Sequence, residues 1–190
     1  ARVQDLLDAA GSAAGAVPFQ RWEHDHLVER MAQYGGFVAG AQDFDAVRFA
    51  ISPVEAEAMD PQQRLVLQEG YAALHAAGQP RMSALSASTG VFVGIEHLDW
   101  TQLQILRSSC SALLRDSAFA ASGEQGHFAA GRLAFALDLR GPGTTVNSAC
   151  SSALVAMHVG AAAVTAAECV RALVAGVKLI LLPFGVGGGG

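Results

Sequence analysis

The 190-residue chain is 52% hydrophobic and 15% charged, and its formal net charge is −5. This much apolar content can build a buried core, which excludes a disordered tail or linker. Lys178 is the only lysine and the arginines form no stripe, so we expect no nucleic-acid partner.

The first ten residues mix acidic and basic side chains, which suits neither a signal peptide nor a transit peptide. The most apolar run, 153–167, is interrupted by His158 and Thr165 and falls short of the roughly 18 residues that a membrane-spanning helix needs. We therefore expect a cytoplasmic protein without a membrane span, in which this run is a helix buried in protein.

Three cysteines are present: Cys110, Cys150 and Cys169. Their odd number argues against a disulfide framework, and their spacing matches no metal site. We expect a reduced protein in which no residue binds a metal or a cofactor directly.

A helix is predicted to begin after Asp60. The Asp60 side chain can cap it, Pro61 suits its first position, and Gln63 stands where a capping box places its amide. Gly78 is a stop signal for this helix. Three bulky side chains fall on one of its faces: Leu67, Tyr71 and Leu74.

The rest of the chain alternates between apolar strands and alanine-rich helices. The predicted elements are a buried strand at 90–95, a helix at 122–137, a strand at 144–146, a helix at 149–167 and a strand at 170–177. Strand, helix and strand in that order predict an α/β fold with parallel pairing.

Cys150 stands at the junction between the strand at 144–146 and the helix that follows it. Unpaired amide N–H groups and the positive end of a helix dipole favour a thiolate at such a position, and the same amides can hold an oxyanion. The neighbouring side chains are small, which leaves room for an acyl chain. These features predict that Cys150 is a nucleophile.

Two other interpretations of Cys150 stay open on these grounds. Free cysteines are commonly buried, so the residue can be an ordinary core cysteine. A hydrolase nucleophile elbow would place glycines two residues on either side of it, but Ser148 and Ser152 occupy those positions. A cysteine hydrolase is therefore the weaker functional hypothesis.

The segment 147–158, NSACSSALVAMH, resembles the active-site segment DTACSSSLVALH of the β-ketoacyl synthases, or ketosynthases. The upstream segment 51–67, ISPVEAEAMDPQQRLVL, is similar to ISPREAEAMDPQQRLLL of the same family. The resemblance runs in order from about Val17 to Pro183, and the MDPQQR segment is closest to the large multidomain polyketide synthases.

This resemblance implies a thiolase-like layered α/β fold, of which the chain would be the N-terminal half, truncated at both ends. The domain would span residues 1–183, followed by a glycine-rich truncated tail at 184–190. Cys150 would take an acyl group from the phosphopantetheine arm of an acyl carrier protein, and decarboxylative condensation with a malonyl-type extender would follow. The resemblance also implies a homodimer and further domains of a multidomain synthase as partners.

The sequence departs from the family pattern where Asn147, Ser148 and Ala153 replace the usual Asp, Thr and Ser. Asn147 loses a charge but keeps a side chain that can form hydrogen bonds, so we expect altered tuning of the loop before loss of function. The two catalytic histidines and the lysine of the family's second half are not among these residues. A non-catalytic pseudo-enzyme, or a dimerisation or docking fragment, is therefore the alternative function.

None of the six histidines is well placed to replace the missing ones. His158 lies eight residues along the predicted helix from Cys150, a rise of roughly 12 Å, and is expected to be a core histidine. His127 is the histidine that could touch substrate, because its segment resembles one that approaches the acyl pocket.

Three further expectations concern packing. Phe128 is expected in the core. Arg132 and Asp138 are expected to form a buried polar contact, and Glu55 and Glu57 to lie on a solvated face.

Overall fold

The computed structural model describes residues 15–16, 18, 34–78, 88–96, 98–107 and 126–182. The chain divides into two compact units, one formed by Ala1–Ala41 with Leu179–Gly190 and the other by Gln42–Lys178. In the first unit, strand β1 (Gly15–Ala16) pairs antiparallel with strand β2 (Tyr34–Gly35). The predicted boundary between residues 183 and 184 lies outside the described residues.

The second unit is built on a three-stranded parallel sheet. Strand β3 (Thr89–Ile95) lies in the centre, between β4 (Gly143–Val146) and β5 (Arg171–Val177), and both pairings are parallel. The predicted α/β fold with parallel pairing is confirmed. Each of these strands begins and ends within one residue of the predicted bounds, because each is a short apolar run between turn signals.

Five α-helices belong to the described part of the chain: α1 (Pro53–Ala58), α2 (Pro61–Ala76), α3 (Leu98–Arg107), α4 (Ala129–Ala136) and α5 (Ser152–Thr165). The predicted helix at 122–137 is confirmed from residue 129 and is preceded by a 3-10 turn at Gly126–Phe128; its first residues lie outside the described ranges. In those ranges no helix has both the length and the apolar character needed to cross a membrane.

Side chains of β3 alternate between two core clusters, because successive residues of a strand point to opposite faces of a sheet. Val91 and Val93 belong to one cluster, whose other members include residues of α2 and α4. Phe92 points the other way and packs with Ala156 of α5 and with Cys169. Helices therefore cover both faces of the sheet, which explains why the sequence of this strand is apolar throughout.

Helix α2 begins as the sequence predicts, with Asp60 as its N-cap and Pro61 as its first residue. Oδ1 of Asp60 accepts a hydrogen bond from the backbone N–H of Gln62 at 2.8 Å. Nε2 of Gln62 also donates to Oδ2 of Asp60 at 3.1 Å, which is a different bond from the predicted capping box, where the Gln63 side chain would accept from the backbone N–H of Asp60. The stop is also confirmed, since Gly78 follows the helix with a φ of 67°. The three predicted face residues pack into one core cluster: Leu67, Tyr71 and Leu74.

Helix α5 is buried on one side only. Small residues, Ser152, Ala156, Gly160 and Ala163, form its buried side. Its other side exposes Leu154 (65%) and Met157 (55%), and His158 is exposed as well. The expectation of a helix buried in protein, with His158 in the core, is therefore wrong, because only one side of α5 is covered. The segment is apolar all round, so its pattern does not show which side faces the sheet.

Two of the three packing expectations are wrong, and the third holds for Glu57, which is exposed, but not for Glu55. Phe128 is 43% exposed, because it lies on the 3-10 turn before α4 and its ring packs on the exposed His127. Arg132 of α4 pairs with Glu55 of α1, which leaves Glu55 mostly buried instead of solvated. Asp138 follows the end of α4 with a φ of 52°, and there it pairs with Arg140 at the surface, at 3.2 Å.

Candidate active site

Cys150 lies on a 3-10 turn, Ala149–Ser151, that connects the carboxyl end of β4 to the start of α5. Cys150 is exposed, whereas Cys169 is buried beside Phe92. Cys110 lies outside the described residues. Of the two described cysteines, only Cys150 is therefore accessible to a reagent or a substrate.

Three polar side chains hold the backbone of this turn. Oδ1 of Asn147 accepts from the amide of Ala149 at 3.2 Å. Oγ of Ser152 accepts from the amide of Ser148 at 2.8 Å and donates to the carbonyl oxygen of Ala149 at 2.7 Å. Oγ of Ser151 donates to the carbonyl oxygen of Ser148 at 2.8 Å. Asn147 thus forms a hydrogen bond, as expected for this departure from the family pattern, and Ser152 acts as more than a small neighbour.

The backbone of Ala149 is left-handed, with a φ of 53°. A residue with a Cβ atom adopts this conformation at a cost of about 1–2 kcal/mol. The other non-glycine residues with positive φ in the described ranges are Ala50, Asp138 and Ala167, and each follows a helical segment. Ala149 instead begins one, so its conformation turns the chain from strand to helix directly before the cysteine.

The start of α5 rests on two glycines of the sheet. A Cβ atom added to Gly94 of β3 would lie 2.5 Å from the carbonyl carbon of Ser152, and one added to Gly176 of β5 would lie 2.6 Å from Cβ of Ala153. Real Cβ atoms do not approach other atoms so closely, so a side chain at either position would displace the helix. These two glycines, which together form a glycine seat for α5, place Cys150 at the carboxyl end of the sheet. Apart from a glycine inside each apolar strand, no pattern in the sequence indicates it.

An ion pair lies at the same carboxyl end of the sheet. The carboxylate of Glu96, which follows β3, lies 3.2 Å from Nζ of Lys178, which follows β5. Both side chains are partly exposed, so the pair adds little to stability. It does place the only lysine at the end of the sheet where Cys150 lies.

Two of the three described histidines make ring contacts, and the third, His158, is exposed on α5. His75 stacks on Tyr71 with 6.2 Å between ring centroids, and His127 lies 4.5 Å from Phe128. A contact of His127 with substrate stays a prediction. Within the described ranges, no three His, Cys, Asp or Glu side chains come together as a metal site.

Fold and turn together define an α/β domain that presents an exposed cysteine where a parallel sheet meets a helix. Comparison with known proteins identifies the family. The family described as "Beta-ketoacyl synthase, N-terminal domain" matches residues 2–190, and the chain belongs to it.

Relatives at the sequence level include polyketide synthase subunits. The chain is 40% identical over 189 residues to a phenolphthiocerol/phthiocerol polyketide synthase protein of Mycobacterium tuberculosis, covering 94% of this chain and 8% of the relative. It is 45% identical over 140 residues to the fumosorinone synthetase of Cordyceps fumosorosea, covering 74% of this chain and 3% of the relative. The chain therefore spans only a small part of these proteins.

Solved ketosynthases share the fold. The ketosynthase from module 6 of the bacillaene synthase of Bacillus subtilis superposes with a TM-score of 0.76 at 33% identity, over 95% of this chain and 28% of that one. An oxazolomycin ketosynthase domain from Streptomyces albus gives a TM-score of 0.76 at 32% identity, over 90% of this chain and 30% of that one. The thiolase-like α/β fold expected from the sequence is confirmed, and the chain corresponds to the N-terminal part of a polyketide synthase ketosynthase.

Proposed function

We propose that Cys150 is the acyl-accepting nucleophile of a ketosynthase that works in polyketide assembly. The observation that carries this proposal is the exposed thiol of Cys150. It lies on a turn before α5 whose backbone is held by side-chain hydrogen bonds. A thiol in this position is near amide N–H groups that have no partner within the helix, and near the positive end of its dipole. Both features favour the thiolate over the thiol.

The first step is acyl transfer. The Cys150 thiolate attacks the carbonyl carbon of a thioester carried on the phosphopantetheine arm of an acyl carrier protein. The new carbon–sulfur bond forms, the bond to the phosphopantetheine sulfur breaks, and that sulfur leaves as a thiol after taking up a proton. Amide N–H groups at the start of the helix, including that of Cys150, are suitable donors to the oxyanion that forms on the way.

The second step is condensation in the complete ketosynthase. A malonyl-type extender on a carrier protein loses carbon dioxide, and the resulting enolate carbon attacks the acyl group on Cys150. A carbon–carbon bond forms, the bond to the Cys150 sulfur breaks, and a β-ketoacyl thioester leaves on the carrier. The partners of this reaction are the acyl carrier protein and the other domains of a multidomain synthase.

A homodimer is part of the same proposal. Strand β4 stands at one edge of the described sheet, and the outer side of α5 exposes Leu154 and Met157. Edges and apolar sides of this kind pair with other protein surfaces. They also support the alternative function, a non-catalytic dimerisation or docking fragment, in which the cysteine is not used. A cysteine hydrolase is the weakest alternative.

Labelling separates these functions. The purified chain would be treated with limiting iodoacetamide or with an acyl thioester, and the cysteine peptides would be identified by mass spectrometry. We expect preferential labelling of Cys150 by both reagents, and a stable acyl-enzyme that is absent from Cys150→Ser. Preferential labelling of Cys110 or Cys169 would contradict the proposal. An acyl group that is hydrolysed as fast as it forms would favour the hydrolase instead.

A further inference from the structure

We propose that Ser152 is a positioning residue for Cys150, acting through the backbone of Ala149. This inference rests on the proposed role of Cys150 as the nucleophile. Ser152 is the first residue of α5 and is 6% exposed, so its hydroxyl belongs to the interior of the site. Ser152 lies two residues after Cys150 and is not itself the reacting group.

The Ser152 hydroxyl joins two peptide groups at the turn, the one between Asn147 and Ser148 and the one between Ala149 and Cys150. Its Oγ accepts from the amide of Ser148 and donates to the carbonyl oxygen of Ala149, at 2.8 and 2.7 Å. The hydroxyl therefore donates its single hydrogen and, at the same time, accepts through an oxygen lone pair. A residue without a hydroxyl would release both groups together.

These bonds act on the strained residue of the turn. Ala149 has a φ of 53°, and such a conformation persists only where the surroundings over-determine it. Its amide is held by Asn147 and its carbonyl by Ser152, so both ends of this residue are fixed by side chains. Since Cys150 is the next residue, the direction of its side chain depends on this conformation.

The hydroxyl itself is fixed by the sheet. Gly94 of the central strand lies against the backbone of Ser152, as shown by the 2.5 Å that would separate an added Cβ atom from the Ser152 carbonyl carbon. Ser152 therefore transmits the position of the rigid sheet to an exposed turn. Active groups held by such a second layer of contacts keep the geometry that their chemistry needs.

The test is the rate at which the Cys150 thiolate displaces iodide from iodoacetamide, followed on the Cys150 peptide in the whole chain. Ser152→Ala removes both bonds at once and is expected to slow alkylation about tenfold.

Thr165→Ala is the matched control. Thr165 lies at the far end of the same helix, is exposed, and donates its hydroxyl to the carbonyl oxygen of Ala161 at 2.9 Å. We expect this variant to alkylate at the wild-type rate. An equal loss in Thr165→Ala, or a wild-type rate in Ser152→Ala, would overturn the inference.

Two further variants test the path through Ala149. Glycine adopts positive φ without the cost that alanine bears, so adding Ala149→Gly to Ser152→Ala is expected to restore part of the rate. Asn147→Ala removes the other bond to Ala149 without touching α5, and it is expected to slow alkylation even if Ser152→Ala were to unfold. Failure of both expectations would overturn the inference. If the wild type does not label at Cys150 at all, the proposed nucleophile fails first, which distinguishes the two proposals.

Discussion

The side-chain amide of Gln62 donates to the backbone oxygen of Glu96 at 2.8 Å and so joins the first turn of α2 to the carboxyl end of β3. The same amide donates to Oδ2 of Asp60 at 3.1 Å. Gln62 and Asp60 are 1% and 0% exposed. Buried polar groups are tolerated when their hydrogen-bond partners are present. Through this network the MDPQQR segment fixes the start of α2 to β3, the strand that carries Gly94.

The first prediction concerns the pH dependence of stability. Burial raises the pKa of Asp60 from its ordinary 3.8 to about 6, although the hydrogen bonds from Gln62 and the charge of Arg64 act in the opposite direction. The folded protein then holds this proton more tightly than the unfolded chain. The contribution of Asp60 to stability is therefore fully present below 3.8 and is lost as the pH rises through about 6. A shift of this size corresponds to about 3 kcal/mol.

Urea unfolding of the wild type and of Asp60→Asn at a series of pH values would measure this effect. Asparagine still caps the helix but does not titrate. Its NH₂ group replaces a carboxylate oxygen that accepts a hydrogen bond, which is expected to lower the free energy of unfolding by about 1 kcal/mol. We expect the stability advantage of the wild type over the variant to shrink as the pH rises from about 4 to about 7. The exposed Asp43→Asn should follow the wild type at every pH. An advantage that grows with pH would contradict the raised pKa of Asp60.

The second prediction concerns the glycine seat beneath α5. Gly94→Ala is expected to lower the free energy of unfolding by about 2 kcal/mol and to slow Cys150 alkylation, because the added Cβ atom would meet the backbone of Ser152 and not a flexible side chain. Gly143→Ala on the neighbouring strand is the control, since its Cβ atom would meet nothing closer than 4.0 Å. Denaturant unfolding of both variants checks this. Equal stability of the two would show that the seat can shift freely.

Much of the fold could be predicted because its signals are local. The capping aspartate and proline indicate the start of α2, and the apolar run of β3 indicates a buried central strand. These elements depend on residues that are close in sequence. The family resemblance then supplied the arrangement of layers, which no local pattern contains.

The errors arose where burial depends on partners. Arg132 lies six residues before Asp138 but faces Glu55, whose position follows from how α1 packs on α4. His158 and Phe128 have apolar neighbours in sequence, yet both side chains are exposed. The positioning role proposed for Ser152 was not predicted, for a similar reason. It depends on the left-handed backbone of Ala149, and an alanine in a sequence does not indicate a positive φ.

The third prediction is self-association. The chain has a mass of 19.6 kDa, and light scattering at micromolar concentration is expected to report a larger particle, because the outer side of α5 leaves Leu154 and Met157 exposed. Replacing both by glutamate should reduce the particle size. Val47→Glu is the control, as Val47 is 89% exposed on a 3-10 turn remote in sequence from α5. A wild type that is a clean monomer would refute the prediction.

The fourth prediction is that this 190-residue polypeptide, tested alone, accepts an acyl group on Cys150 but does not perform condensation. Acyl transfer needs a nucleophile and donors to an oxyanion, whereas decarboxylation of the extender needs donors that stabilise an enolate. In the family that the chain resembles, two histidines of the second half supply those donors, and groups of this kind are each worth factors of about 10² to 10⁴ in rate.

We do not expect the described histidines to replace them. His158 is exposed and lies along α5 from Cys150, and His75 and His127 hold ring contacts with Tyr71 and Phe128. The purified chain would be supplied with acyl-loaded and malonyl-loaded carrier proteins, and mass spectrometry would follow both the acyl-enzyme and any β-ketoacyl product. Acyl-enzyme without product is the expected result. A product that disappears in Cys150→Ala would show instead that residues within these 190 positions suffice to stabilise the enolate, and His127 would then be the first of them to replace.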